Sequence, residues 1–155
     1  MNRKYMRGTY VVEFAIIGLL MFTLLFGVVE MGRLYFTVNA LDEVVRRGTR
    51  LAVVCGIDDD LMIRKRAIFN DEHDPDTSLL IGDLNIDHLK LTYLDADGAE
   101  VANPATSDYA IRYVQLSLTG FVFNLFIPGF GVSITLPAFK ATLPRESLGR
   151  ESTQC

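Results

Sequence analysis

The chain begins with MNRKYMRGTYVVEFAIIGLLMFTLLFGVVEMGR, residues 1–33, in which three basic residues precede a long apolar run that contains one glutamate. The sixteen residues from Phe14 to Val29 carry no charge. As a helix they reach only about 24 Å, against a hydrocarbon core about 30 Å thick. Starting the span at Thr9 lengthens it to about 31 Å and includes Glu13. The stretch therefore predicts a transmembrane helix over residues 9–33, with a carboxylate at or just inside the membrane boundary.

Glu13 is costly in a membrane, by about 2–3 kcal/mol at the bilayer centre and less near the interface, unless a cation neutralises it. Arg7 could neutralise it, and so could a new amino group created by cleavage of the chain before Glu13. One interpretation is an uncleaved signal anchor with Glu13 at the interface. A cleaved secretory signal is disfavoured, because no A-x-A-like site follows the run. Arg3, Lys4 and Arg7 weakly favour a cytoplasmic N-terminus and a C-terminal domain outside the cytoplasm.

Beyond Val29 the apolar residues keep helical spacing, which predicts an amphipathic continuation of the helix over residues 34–56. The apolar stripe comprises Leu34, Val38, Leu41, Val45 and Ala52, and the polar face comprises Asn39, Glu43, Arg46 and Arg50. Gly56, after Cys55, is typical of a helix C-terminus. The stripe must be covered, either by the protein's own exported domain or also by neighbouring copies and partners.

The remainder predicts a small exported α+β domain over residues 57–143 and a polar C-terminal tail over residues 144–155. The segment 58–70 is typical of a short helix. Alternating apolar and polar residues predict strands in HLKLTYL at 88–94, YVQLSLT at 113–119 and VSITL at 132–136. Because a three-stranded sheet needs a cover, we expect the long N-terminal helix to pack on a small antiparallel sheet.

An uncharged run, FVFNLFIPGFG at residues 121–131, separates the last two predicted strands. Its aromatic residues are Phe121, Phe123, Phe126 and Phe130. Two interpretations stay open: the rings complete a small core, or they form an exposed patch that docks on a partner or on the membrane surface.

The two cysteines, Cys55 and Cys155, permit one disulfide in an oxidising compartment. The bridge would close a loop of about 100 residues and contribute up to roughly 4–5 kcal/mol in the chain-entropy model. Cys155 ends a polar tail, so the sequence leaves both the bridged and the unbridged state open.

Composition and motifs argue against several classes of function. The net charge is -4 and the basic residues form no stripe, which disfavours nucleic-acid binding. His73, in the acidic loop DEHDPDTS, matches no zinc or calcium spacing. With two histidines, no nucleophile elbow and no glycine-rich phosphate loop, the chain shows no catalytic motif. We expect a protein that is not an enzyme and has neither a cofactor nor a metal site.

One long run, RGTYVVEFAIIGLLMFTLLFGVVEMGRLYFTVNALDEVVRRGTRLAVV at residues 7–54, closely resembles the N-terminal signature of TadE-like minor pseudopilins of tight-adherence (Flp-type) pilus systems. ITLPAFKATLPRES, at 134–147, is similar to the family's closing strand. The resemblance implies a pilin-like fold and a leader, residues 1–8, cut by a prepilin peptidase between Gly8 and Thr9. It also implies roles in assembly and register for Glu13, at mature position five, and for Phe14. Major Flp pilins have tyrosine at the latter position, so the phenylalanine suits a minor component.

The same resemblance implies a structural protein of the bacterial inner membrane that takes part in assembling or priming a pilus used in adhesion and biofilm formation. The implied partners are the prepilin peptidase, other pseudopilins and the major pilin, the inner-membrane assembly platform and the lipid bilayer. In an assembly, Glu13 of one subunit would receive the amino group of Thr9 of its neighbour. The alternative is an uncleaved single-pass envelope protein whose exported domain binds a ligand or acts as a scaffold.

Overall fold

The computed structural model describes residues 7–126 and 131–148, and its longest element is helix α1, Arg7–Val54. The helix has 48 residues and is therefore about 72 Å long. Nearly every side chain from Gly8 to Val29 is exposed, whereas the second half of α1 packs on the rest of the chain. The predicted continuous helix is confirmed, and it ends two residues before Gly56.

The elements that follow α1 are short. They are helix α2 (Asp60–Ala67) and strands β1 (Leu89–Leu94), β2 (Tyr113–Leu118), β3 (Val122–Asn124), β4 (Ser133–Thr135) and β5 (Phe139–Pro144). Single turns of 3₁₀ helix at Ile57–Asp59, Ile86–His88 and Asp108–Ala110 precede α2, β1 and β2. The helix predicted over 58–70 thus forms as a 3₁₀ turn followed by two turns of α-helix.

The strands form two separate antiparallel units. One is a three-stranded sheet in the order β1-β2-β5, and the other is a hairpin of β3 and β4. At the centre of the sheet, Leu116 of β2 lies between Leu91 of β1 and Ala141 of β5. The α+β prediction of a long helix on a small antiparallel sheet is confirmed.

The identity of the third strand in that sheet was predicted wrongly. The segment 132–136 does contain a strand, β4, but it pairs with β3 and lies outside the three-stranded sheet. Strand β5 takes its place, with Phe139, Ala141 and Leu143 alternating with more exposed residues. Pro137 lies between β4 and β5, and a residue without an N–H group cannot continue a sheet ladder. Both segments alternate, so the pattern alone could not show which one reaches β2.

The core forms where the second half of α1 crosses β2 and β5, with α2 packed beside it. Leu41, Val45 and Ala52 of the predicted stripe are fully buried, and Leu34 and Val38 are partly buried. The protein's own C-terminal domain therefore covers most of the stripe.

Gly48 lies where α1 approaches its neighbours most closely. A Cβ atom placed there would overlap the side chain of Leu116 and lie 2.8 Å from the Cβ of Ala67 in α2. Real side chains do not come this close, so the helix needs glycine at this position to reach both β2 and α2.

The chain returns to the end of α1 after β5. The N–H group of Leu148 donates to the C=O of Val53 at 3.2 Å, and the Ser147 hydroxyl donates to the C=O of Val54 at 3.2 Å. The predicted tail, residues 144–155, therefore begins too early, because residues 145–148 belong to the folded domain. Residues 149–155 lie outside the described part of the chain.

Tyr93, on the core face of β1, is 6% exposed, and its hydroxyl has no hydrogen-bond partner among the described residues. Burial, with the nearby carboxylates of Asp60, Asp58 and Asp59, raises the pKa of Tyr93 to about 12. An unfolded tyrosine ionises near pH 10. The folded protein therefore holds the proton more tightly, and the associated stability is complete below about pH 10 and declines as pH rises towards 12.

We expect Tyr93→Phe to raise the free energy of unfolding by about 1 kcal/mol at pH 7, because it removes a buried hydroxyl that makes no hydrogen bond. It should also flatten the loss of stability between pH 10 and 12. Urea unfolding of the full chain in detergent at pH 7, 10 and 12 measures the two effects. Tyr113→Phe, at a ring that is 40% exposed, is the control and should change neither. A Tyr93→Phe protein less stable than wild type would show that the hydroxyl has a partner.

Candidate functional site

The first two turns of α1 carry the predicted maturation and register residues. Gly8 and Thr9 lie at the exposed beginning of the helix, and a Cβ added to Gly8 would meet no atom within 4 Å. Glu13 follows Thr9 by four residues, about one helical turn. Phe14 projects from the helix with 78% of its surface exposed. The cleavage and register roles of these residues remain predictions, but all four are accessible on the helix surface.

The first half of α1 has the composition of a membrane span. Its most apolar window has a mean hydropathy of 2.4, and none of that window is buried within the protein. A helix that is apolar on every side and has no protein cover is typical of contact with lipid. The hydroxyl of Thr23 donates to the C=O of Leu19 at 2.8 Å, so this polar group is satisfied inside the helix. By length and composition, the helix is able to cross a membrane.

Glu13 is the one charged side chain between Gly8 and Val29. No group in the described part of the chain forms a hydrogen bond or an ion pair with it. A carboxylate in an apolar surface favours a cationic partner. The geometry therefore leaves Glu13 available to a cation from another molecule or from the processed amino terminus.

A second cluster, which we call the boundary clamp, lies where the apolar half of α1 ends. It comprises Glu30 and Arg33 of α1 with Asn124 and Phe126 of the β3–β4 hairpin. The guanidinium of Arg33 donates to both carboxylate oxygens of Glu30, at 3.2 and 3.0 Å, and also to the C=O of Asn124. The N–H group of Phe126 donates to Glu30 at 3.2 Å. One ion pair on the helix thus binds the backbone of the hairpin at two points.

Aromatic rings complete the clamp around Arg33. Its guanidinium carbon lies 4.1 Å from the centre of the Phe123 ring and 4.4 Å from that of Phe126. A guanidinium at this distance from a ring face is attracted by the ring's quadrupole. The clamp therefore fixes the hairpin against α1 at the end of the helix's apolar segment.

Sequence reasoning missed the clamp. Glu30 and Arg33 were visible only as two charges after an apolar run, although their i, i+3 spacing is that of a helical ion pair. Asn124, which accepts from Arg33, is 91 residues away along the chain. No local pattern connects the two segments.

The four phenylalanines of the uncharged run do not act as one surface. Phe121 and Phe123 are each 2% exposed and belong to the hydrophobic core, and the ring of Phe121 lies edge-on to His88 at 6.0 Å. The core interpretation is right for these two, and the partner patch is wrong for them, because Phe121, directly before β3, and Phe123, within it, alternate with the exposed Val122 and turn inward. Phe126 is 72% exposed and can contact a partner or lipid. Phe130 lies outside the described residues.

Cys55 is buried directly after the end of α1, where its N–H group donates to the C=O of Leu51 at 2.8 Å. Cys155 lies outside the described residues. A bridge between the two cysteines remains a prediction.

Comparison with known proteins adds one finding at the N-terminal end. Residues 8–50 match the sequence model of the family described as TadE-like protein. Neither the curated proteins nor the solved structures gave a match. The matched segment contains Gly8, Glu13, the apolar half of α1 and the helical ion pair of the boundary clamp. The family resemblance of the sequence is confirmed over these residues.

Proposed function

We propose that this chain, whose residues 8–50 match the TadE-like family, belongs to a tight-adherence pilus system and is a minor pseudopilin that a prepilin peptidase matures and that takes part in assembling or priming the pilus. The observation that supports the proposal is that only the second half of helix α1 is packed against the rest of the protein. Its second half is packed on the C-terminal domain, whereas its first half presents an apolar surface with the carboxylate of Glu13, which has no partner among the described residues. Such a surface suits a protein that is held by lipid and then by neighbouring helices.

Maturation would change the charge at the beginning of α1. Cleavage between Gly8 and Thr9 removes Arg3, Lys4 and Arg7 and creates an amino group on Thr9. The new helix N-terminus carries a partial positive charge from its unpaired N–H groups as well as the charged amine. Both favour an acidic side chain within the first turn or two, where Glu13 lies.

In an assembly, the amine of one subunit would pair with Glu13 of its neighbour. An apolar helix surface alone specifies axial position weakly, because many registers bury similar areas. One charge pair in an apolar bundle excludes the alternative registers. Any axial shift would leave a carboxylate and an ammonium unpaired in a medium of low dielectric constant. The pair would set the register of adjacent helices.

The remaining parts of the proposal concern place and partners. We propose that the apolar half of α1, which is long and apolar enough to span a bilayer, anchors the protein in a bacterial inner membrane, with the C-terminal domain outside the cytoplasm. Its partners would be the peptidase, the major pilin and other pseudopilins, and the assembly platform. We also propose that this chain is structural rather than catalytic, as its resemblance to TadE-like minor pseudopilins implies.

We expect Glu13→Gln to reduce the amount of this protein that co-purifies with the other pilus components by at least about tenfold, since one decade corresponds to about 1.4 kcal/mol of lost interaction. Pull-down from detergent-solubilised host membranes, with counts of surface pili, measures the loss. Glu43→Gln is the matched control: it removes one carboxylate from the exposed polar face of the same helix and should have no effect. Wild-type assembly by Glu13→Gln would refute the register role.

A further inference from the structure

The apolar half of α1 has a length that fixes where a membrane surface would cross the protein. The 21 residues from Thr9 to Val29 span about 31 Å, which matches a hydrocarbon core about 30 Å thick. A polar headgroup layer of about 5–8 Å lies on each side of that core. If this half of the helix spans a bilayer, the turns directly after Val29 lie in a headgroup layer.

Two exposed aromatic residues of α1, Tyr35 and Phe36, follow Val29 by six and seven positions. Their backbone lies about 9–11 Å beyond Val29 along the helix axis. Helical side chains lean towards the helix N-terminus and cover the preceding turn, so the two rings lie about 5 Å closer to the apolar segment. That depth is the headgroup layer, where tyrosine is enriched in membrane proteins.

The β3–β4 hairpin brings further apolar side chains to the same level. The N–H group of Phe126 donates to Glu30 at 3.2 Å, which places this residue beside the first turn after the apolar segment. The ring of Phe126 is exposed. Val132, on the other arm of the hairpin, is also exposed, and its C=O accepts from the N–H group of Leu125 at 3.1 Å.

The loop between α2 and β1 also reaches α1 at this level. A cavity of about 170 Å³ lies between the loop and the helix. Leu80 lines it from the loop, and Arg33 and Phe36 line it from α1. The side chain of Leu80 is exposed on its outer side. Three segments that are distant in sequence thus present apolar side chains within two turns of the end of the apolar segment.

The charges at this level do not oppose contact with lipid and do not select anionic lipid. Arg33 is paired with Glu30 at 3.0 Å, and Glu30 is buried under the hairpin. Asp83, which also lines the cavity, is exposed and has no ion-pair partner among residues 7–126 and 131–148. With its arginine already neutralised, this surface offers apolar area to a lipid surface rather than a free cation.

We call the exposed side chains of Tyr35, Phe36, Leu80, Phe126 and Val132 the collar. We propose that the collar inserts into the headgroup layer of a zwitterionic lipid bilayer, so that the C-terminal domain rests on the membrane surface. Consecutive helical residues point about 100° apart, so the two rings of α1 cannot face one partner protein together. A plane that surrounds the helix contacts both.

The inference rests on the proposed membrane anchor, but it needs neither cleavage at Gly8 nor the pairing of Glu13. The chain contains no tryptophan, so a single introduced tryptophan is an unambiguous reporter. The test uses the full chain reconstituted in phosphatidylcholine vesicles, with and without bromine in the upper part of the acyl chains. Bromine quenches tryptophan that enters the bilayer. Phe126→Trp and Leu80→Trp should each lose at least about half of their emission in the brominated vesicles, as expected for side chains at the headgroup–acyl boundary.

Two further reporters calibrate the depth. Tyr109→Trp is the matched control, because Tyr109 is as exposed as Phe126, at 72%. It lies two residues before Ile111, which packs with Ala52 of α1, more than about 20 Å beyond the collar along the helix. Its emission should be unchanged by bromine. Phe22→Trp, within the apolar half of α1, should be quenched if that half spans the bilayer.

The reporters separate failure of this inference from failure of the anchor. Quenching of Phe22→Trp with no more quenching at positions 80 and 126 than at position 109 would overturn the collar and leave the anchor intact. No quenching at position 22 would overturn both. Quenching at the collar that disappears as the protein-to-lipid ratio rises would also overturn the inference, because a second copy would then be the occupant. Loss of the quenching at about 1 M NaCl would do the same, since salt screens charge contacts and does not weaken apolar insertion.

Discussion

Gly48→Val is expected to lower the free energy of unfolding of the C-terminal domain by about 3 kcal/mol. The new side chain would overlap that of Leu116 and meet the Cβ of Ala67, which lies 2.8 Å from where the first added carbon must stand. Leu116 can change rotamer, but a Cβ moves only with its backbone, so α2 must shift away from α1. Overpacking of this kind costs roughly 1–3 kcal/mol, and the upper end applies where backbone must move. Urea unfolding followed by tyrosine fluorescence measures the loss.

Gly32→Val is the matched control on the same helix. A Cβ at Gly32 would meet nothing within 4 Å, and valine is a better helix former than glycine by a few tenths of a kcal/mol. We expect this variant to be as stable as wild type or slightly more so. Equal unfolding midpoints for the two variants would show that α1 does not approach β2 and α2 as closely as described.

Phe123→Ala is expected to lower the free energy of unfolding by about 3–5 kcal/mol, the usual range for removing a fully buried phenylalanine. The ring is 2% exposed, packs in the main core cluster and lies against the guanidinium of Arg33. Its removal creates a cavity and also weakens the boundary clamp. Urea unfolding of the full chain in detergent gives the size of the loss. Hydrogen exchange at the amide of Phe126, which donates to Glu30, should become faster.

Phe126→Ala separates burial from aromatic character in the same hairpin. That ring also lies over Arg33, yet it is 72% exposed. Exposed substitutions usually change stability by less than about 0.5 kcal/mol, and we expect the same here. If Phe126→Ala were as destabilising as Phe123→Ala, the hairpin would have to be packed with Phe126 inward, contrary to the structure.

Long, strongly periodic segments could be predicted from the sequence. The apolar run and the following stripe identified α1, because lipid and core each impose a pattern that lasts many helical turns. Strands β1 and β2 were found for the same reason, from alternation over six or seven residues. Gly48 was not singled out, since its importance lies in contacts with Leu116 and Ala67, which no spacing within α1 reveals.

The candidate site residues show the same difference between local patterns, which the sequence reveals, and long-range contacts, which it does not. Gly8 and Glu13 could be predicted as site residues from the sequence, because the residues that define their predicted roles lie within a few positions of them. The boundary clamp joins Arg33 to Asn124, which are 91 residues apart along the chain, so no local pattern identifies it. The row of phenylalanines was ambiguous for a related reason: composition shows that rings are present, whereas the local backbone direction decides which of them turn inward.

The boundary clamp suggests how the two halves of the protein act together. A helix that projects beyond its domain can transmit a defined orientation only if the domain is fixed to it near the point of exit. Glu30 and Arg33 provide that attachment at the end of the apolar segment. A register set by Glu13 would thereby also set the position of the C-terminal domain.

The intact mass and N-terminal sequence of the protein, purified from host membranes with and without the prepilin peptidase, test the central claim most directly. We predict a chain that begins at Thr9 when the peptidase is present and at Met1 when it is not. A chain that begins at Met1 in both cases would contradict the pseudopilin assignment and indicate an uncleaved membrane-anchored envelope protein.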